Sequence, residues 1–266
     1  MRPGRPVGIV VAMEEELLPF RAHLPGLRPA AGSAPWETWE GEAAGRPVVV
    51  AVSDCGPVNA AAALEALVSR FDPRVVLSSG AAGAHDETLL PGDVVVGARY
   101  RLLVPPAVQE ERVRQGLHLK GFRFRRGGVR HHAEELEAPA DLVARAVEAG
   151  EEELRRIGPW SGPGWPEEVA RRDGRLVAGV VGSTDSWTRS ESDLRAFRAF
   201  YGAHCEDMES AFLAQLCALR GLPFVSVRCV SNSELRRPLA PADVSAAIAL
   251  AGARSARIVA RVAASA

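Results

Sequence analysis

The stretch EDMESAFLAQLCALRGLPFVSVRCVSN, Glu206 to Asn232, carries the pattern on which the fold assignment turns. Glu206 to Met208 reads as a passage from strand to helix. Ser210 to Arg220 has apolar residues at helical spacing and is closed by Gly221 and Pro223, the stop signals of a helix C-terminus. Phe224 to Val230 is an apolar, β-branched strand that ends in Ser231-Asn232. A strand, a short crossover helix and a second apolar strand are the unit of an α/β sheet.

Outward from that unit the alternation persists. Val7 to Val11 reads as a first strand, followed by a polar turn and helix through Glu14, Glu15 and Glu16. Trp36 to Glu40 and Val48 to Val52 pair around Ala44-Gly45. Pro57 to Phe71 is a helix with proline in its first turn, where a missing N–H costs little. Arg74 to Ser78 is a strand expected to stop at the small-residue run Gly80-Ala81-Ala82-Gly83-Ala84, and Asp93 to Gly97 is the next. Ala140 to Ile157 reads as an exposed helix and Trp160 to Pro166 as a loop. Leu176 to Val181 is a strand, Glu191 to Phe200 a helix, and Ala242 to Val262 a long closing helix. Pro105 to His132 is polar, arginine-rich and broken by Gly116, Gly121, Gly127 and Gly128. The expectation is one α/β domain over residues 1–266, a twisted mixed central sheet flanked by helices, with a divergent, loop-rich segment over 100–175.

Composition narrows the function. The chain has 266 residues, 47% hydrophobic and 24% charged, with a formal net charge of −1. That near-neutral balance makes nucleic acid and anionic membranes poor partners. No apolar run approaches the ~18 residues of a membrane span, and no signal-peptide core precedes Val7, so a cytoplasmic protein is expected. Cys55, Cys205, Cys217 and Cys229 form no C-x-x-C pair and read as reduced thiols. His131-His132, His85 and His204 lack metal-site spacing and read as surface or loop residues. No metal and no organic cofactor are expected.

In open α/β sheets ligands sit beyond the carboxyl ends of strands. Four clusters fall there: Glu14-Glu15-Glu16, Gly80 to Gly83, Glu206 to Glu209, and Arg228 to Glu234. One such acidic cluster is commonly a solvated helix start. Four together point to a site without naming its reaction.

The local strings resemble one family. GIVVAMEEELLPF (Gly8 to Phe20) is similar to the first strand and acidic turn of methylthioadenosine/S-adenosylhomocysteine nucleosidases. SSGAAGAHDETLLPGDVVVG (Ser78 to Gly97), GSTDSW (Gly182 to Trp187) and Glu206 to Asn232 resemble further segments in family order. The resemblance implies a nucleoside phosphorylase-like fold, a homodimer, and hydrolysis of the N-glycosidic bond of a 5′-substituted purine nucleoside. It puts Glu16 at the water-activating base, with Arg228 and Asn232 completing the catalytic set. Trp187 would stack on the purine, Met208 lie behind the sugar, and Glu209 take the ribose hydroxyls, for which two carboxylate oxygens suit two vicinal donors. Ala82, Gly83 and Ser231 would complete the substrate pocket. Arg228, costly to bury alone, is expected to face Glu16, Glu209 or the site water.

Two positions depart from the family: Asn232 replaces an aspartate and Ala81 a serine. An amide can donate to N7 but cannot transfer a proton. It suits the N6–H/N7 edge of adenine or the O6/N7 edge of a 6-oxopurine. Hydrolysis of a 6-oxopurine nucleoside such as futalosine, phosphorolysis, and a catalytically silent nucleoside-binding protein therefore stay open beside the first reading.

Overall fold

The computed structural model describes residues 4–32, 35–115, 121–162, 169 and 171–266. Its centre is a ten-stranded mixed sheet in the order β11-β10-β6-β12-β5-β1-β4-β3-β2, with β9 (Leu136–Glu137) on β6. The strands that position the site are β1 (Val7–Val11), β5 (Val75–Ala84), β6 (Val94–Leu102), β10 (Leu176–Ser183), β11 (Ala203–Asp207) and β12 (Phe224–Asn232). β12 and β1 both run parallel to β5, with Arg228 opposite Gly80 and Asn232 opposite Gly83. β11 pairs with β10 and also, antiparallel, with β5. That second pairing closes five strands on themselves, while β1, β4 (Arg46–Val52), β3 (Glu37–Ala43) and β2 (Arg28–Pro29) fan out as an open wing.

Helices cover both faces. α2 (Pro57–Phe71) and α6 (Ser210–Arg220) pack together on one side; α4 (Ala140–Ile157) and the long α7 (Val244–Ser265) cover the other. Two apolar clusters follow, one under α7 around Ile9, Leu77, Val227 and Ile258, the other under α2 and α6 around Leu64, Val76, Leu213 and Phe224. Each buried Leu, Ile, Val or Phe side chain contributes about 1.5–3 kcal/mol against exposure. Further helices include α1 (Glu14–Leu17), α3 (Pro106–Arg114) and α5 (Glu191–Tyr201).

The single α/β domain with a mixed sheet is as expected, and several boundaries are not. β5 does not stop at Gly80 but runs on to Ala84. Its small residues are strand because side chains from β12 and α1 need the space: a Cβ on Gly80 would land on Arg228 Nη1 and 2.6 Å from Glu16 Oε1. α4 is not simply exposed, since Leu142, Ala146, Ala149 and Leu154 form a buried stripe against α7. The polar middle contains helix α3 and a hairpin, β7 (Phe122–Arg126) and β8 (Val129–Ala133). Gly127 and Gly128, read above as breaks, form its two-residue turn with φ of 56° and 80°, the backbone sign such hairpins require. The Trp160 to Pro166 loop lies partly outside the described residues, as does Gly116.

Candidate active site

The four strand-end clusters converge on one cavity of about 200 Å³. Of the residues singled out in the sequence, Glu16, Ala82, Gly83, Trp187, Met208, Glu209, Ser231 and Asn232 line it. Arg228 stands behind the wall, buried at the side-chain level.

Glu16 enters from the first turn of α1. Glu14 and Glu15 face solvent while Glu16 turns inward and is buried. Its Oε2 accepts the backbone N–H of Ala12 (2.9 Å) and Met13 (3.4 Å), and its Oε1 accepts that of Ala81 (2.9 Å). Burial pushes its pKa up, and the Arg228 charge with the three N–H donors only partly opposes this. A carboxylate so placed is a stronger base than an exposed glutamate and fixed in direction.

Glu209 precedes α6. Its Oε1 accepts Gly56 N–H at 3.0 Å and its Oε2 accepts Met208 N–H at 3.3 Å. Gly56 can approach because it sits at φ 99°, in the backbone region that favours glycine, and a Cβ there would press on Asp185. Burial, reinforced by the neighbouring Asp207 charge, raises Glu209 to about 8 against the pull of Arg228.

The expected partner of Arg228 requires correction. Its direct ion pair is with Asp207, Nε to Oδ2 at 2.5 Å, and it also donates to Ser210 Oγ (3.2 Å) and Ser78 Oγ (2.8 Å). Glu16 and Glu209 feel its charge at longer range: burial alone would lower the guanidinium pKa, and Asp207, Glu209 and Glu16 more than offset that. Asp207 is the cavity-lining partner of Arg228 that the sequence reading did not single out. Besides Arg228 it accepts from Ser183 Oγ (2.5 Å) and from the backbone N–H of Glu209 and Ser210, so it caps α6 and seats Glu209 together. Its signal was present in the acidic run Glu206 to Glu209, yet four adjacent residues gave no means of separating the one facing Arg228.

At the other end of the cavity Asn232 has a fixed amide. Nδ2 donates to Glu234 Oε1 at 3.1 Å and Oδ1 accepts from Ser231 Oγ at 2.9 Å, which leaves one N–H and one lone pair. Glu234 in turn lies 3.5 Å from Arg189 Nε, and the Arg189 guanidinium sits 5.5 Å from the centre of the Trp187 ring. Trp187 is 41% exposed, so it is no core tryptophan but a ring held open at the mouth. Ser186, Leu239, Val244 and Ile248 complete that side.

Glu206 also lines the cavity; its Oε1 accepts Thr188 N–H at 2.7 Å. His85, read above as a surface or loop residue, is instead fully enclosed, with Nε2 3.1 Å from Glu206 Oε2 and its ring stacked on Phe197. Among the described residues no group of three or more His, Cys, Asp or Glu side chains could hold a metal ion.

The sequence pattern of the Phosphorylase superfamily matches residues 6–264. A 5′-methylthioadenosine/S-adenosylhomocysteine nucleosidase of Shewanella sp. (strain W3-18-1) is 30% identical over 258 residues, covering 95% of this chain and 96% of its own. The corresponding nucleosidase of Marinomonas sp. (strain MWYL1) is 29% identical, with 85% of each chain covered. The crystal structure of the Neisseria meningitidis nucleosidase in complex with methylthio-immucillin-A superposes with a TM-score of 0.74 at 25% identity, over 98% of this chain and 100% of its own.

Proposed function

We propose, since this chain belongs to the methylthioadenosine/S-adenosylhomocysteine nucleosidases of the phosphorylase superfamily, that it hydrolyses the N-glycosidic bond of a 5′-substituted purine nucleoside. The products are the free purine and a 5′-substituted ribose. One observation carries the assignment: two buried carboxylates of raised pKa, Glu16 and Glu209, open on the same cavity with Met208 beside them.

In the proposed reaction the C1′–N9 bond breaks with its electron pair leaving on the purine, and a water oxygen bonds to C1′. Glu16 takes the water proton; its three backbone donors hold it in place without protonating it. Glu209 accepts the ribose hydroxyls, and Met208 presents a polarisable surface to the sugar. Trp187 stacks on the base. The free N–H of Asn232 meets N7 as negative charge develops there, a preformed electrostatic contribution rather than proton transfer. The departing base then takes its proton from solvent at the open mouth. Arg228 acts one layer back, paired with the wall residue Asp207, which seats Glu209 through its backbone N–H, and tempers the charge of the carboxylate-lined wall. Ala82, Gly83 and Ser231 shape the base end.

Water is favoured over phosphate by the charge of the cavity. Glu16, Glu206, Asp207 and Glu209 all line it, and the strongest nearby cation, Arg228, is already paired. A phosphate dianion in their midst would meet like charges at short range. The proposal takes the working form to be a homodimer in the cytoplasm; no described helix is long and apolar enough to cross a membrane.

The test is free-base release from methylthioadenosine with and without phosphate. Adenine appearing at the same rate in both supports hydrolysis. Release that requires phosphate assigns a phosphorylase, and binding without release assigns a silent homologue.

A further inference from the structure

The Trp187 ring is 41% exposed, so packing around it does not fix its place. That place is set by the backbone of segment 184–190, which joins β10 to α5 and is neither helix nor strand. Among the described residues, two N–H groups between Thr184 and Arg189 have acceptors within the protein. Thr184 donates to the Asp207 carbonyl at 3.2 Å, and Thr188 donates to Glu206 Oε1 at 2.7 Å. Asp185, Ser186 and Trp187 hang between these two points.

The second tether ends on a buried charge. Glu206 is 5% exposed, and 2.7 Å lies at the short end of the range for a charge-assisted N–H bond, about 2.7–2.9 Å. A carboxylate is costly to bury unless a partner stands beside it. Here His85 brings Nε2 within 3.1 Å of Oε2. His85 is itself fixed: its backbone N–H donates to the His204 carbonyl of β11 at 2.9 Å, and its ring stacks on Phe197 of α5 with centroids 5.7 Å apart. The pair thus meets the segment from both sides, through Thr188 within it and through Phe197 in the helix that follows. For stability alone two apolar side chains would serve as well, since replacing a buried ion pair by packed hydrophobic residues is often neutral or stabilising. What an apolar pair cannot supply is an acceptor for the Thr188 N–H.

We propose that Glu206 is a positioning residue: backed by His85, it holds the Thr188 N–H and so fixes the backbone that carries Trp187 over the cavity. It touches no substrate, and the ring keeps its own side-chain freedom. The proposal rests on the hydrolase reading, in which Trp187 stacks on the base, and adds the residue that places the ring.

The experiment measures kcat and KM for adenine release from 5′-methylthioadenosine by the wild-type chain, Glu206→Leu, Glu206→Gln, Trp187→Ala and the double variant Glu206→Leu/Trp187→Ala. Leucine removes the acceptor, and glutamine keeps an oxygen for Thr188 N–H. The expected result is a rise in KM of about 2–10-fold for Glu206→Leu, the worth of one stacking contact, with a smaller change in kcat and with KM restored in Glu206→Gln. In the Trp187→Ala background the leucine should raise KM no further, because residues that act through one another are not additive. A full additional rise in that background overturns the proposal, as does a glutamine no better than leucine or a loss confined to kcat. Wild-type KM in Trp187→Ala removes the stacking and the proposal with it, while the hydrolase reading stands. No adenine from the wild type removes all three. Should Glu206→Leu not fold, amide hydrogen exchange on the wild type decides. The Thr188 N–H should be protected while those of Ser186 and Trp187 exchange freely, and exchange at Thr188 as fast as at its neighbours overturns the tether.

Discussion

At the floor of the cavity the polar groups are committed to fixed partners: Glu16 to three backbone amides, Arg228 to Asp207 and two serines, Glu209 to Gly56 and Met208. At the rim, Trp187 and Arg189 are about half exposed and touch through a cation–π contact that water competes with. The floor is built where five strands close on themselves, the rim on the segment after β10 and the approach to α7. Under the proposed mechanism, chemistry that needs sub-ångström placement sits on rigid elements, while recognition of a flat base tolerates an adjustable edge.

Substitutions test how deep that difference goes. Glu16→Gln keeps the shape of the floor and removes the base, so kcat should fall by about 10²–10⁴ with nucleoside affinity little changed. Turnover near wild type in a base-release assay would make the floor a mere scaffold. Next in size, Glu209→Gln should raise KM about 10–100-fold above pH 8, where the carboxylate is ionised, the worth of hydrogen bonds to a charged acceptor, and wild-type KM there would break the ribose assignment.

The same variant has a pH signature. Unfolded, Glu209 releases its proton near 4.5; folded, near 8. Between those values the folded form holds the extra proton, so the stabilisation is complete below about 4.5 and is lost as pH rises through 8. Melting curves across this range should therefore show Glu209→Gln gaining on the wild type as pH rises. A constant difference in Tm would contradict the raised pKa.

A smaller effect is expected for Gly80→Ala, which forces a methyl group between Arg228 and Glu16. Overpacking of this kind costs about 1–3 kcal/mol, readable by urea unfolding, and turnover should fall with it. At the rim, Trp187→Ala should raise KM by only about 2–10-fold, the worth of one stacking contact, with Tm unchanged because the ring is exposed. A large loss of stability there would erase the distinction between floor and rim.

Periodic residues made much of the fold legible. Pro57–Phe71 and Ser210–Arg220 follow the predicted helix bounds, because proline in the first turn of one, the glycine stop of the other and apolar spacing in both are local signals. The turn at Ala44-Gly45, with both residues at positive φ, was equally local. The small-residue run after Ser78 misled for a physical reason. Glycine and alanine weaken a strand pattern, and here they are strand only because Arg228 and Glu16 fill the space their side chains would take. The middle segment hid a hairpin whose turn, Gly127-Gly128, carried its own signal among residues too polar to show a buried face.

For the site, the sequence alone supplied residue types in order: a carboxylate after β1, Met208-Glu209 before a helix, and Ser231-Asn232 at a strand end. Family resemblance turned those types into expected roles. What the chain order could not decide was pairing. That Arg228 belongs to Asp207, that Glu16 alone of three glutamates turns inward, and that His85 is buried against Glu206 all depend on side chains brought together across 20 to more than 100 residues. Such contacts are set by strand order and register, above all by β11 pairing with β5, and no local spacing encodes a register between strands separated by most of the chain.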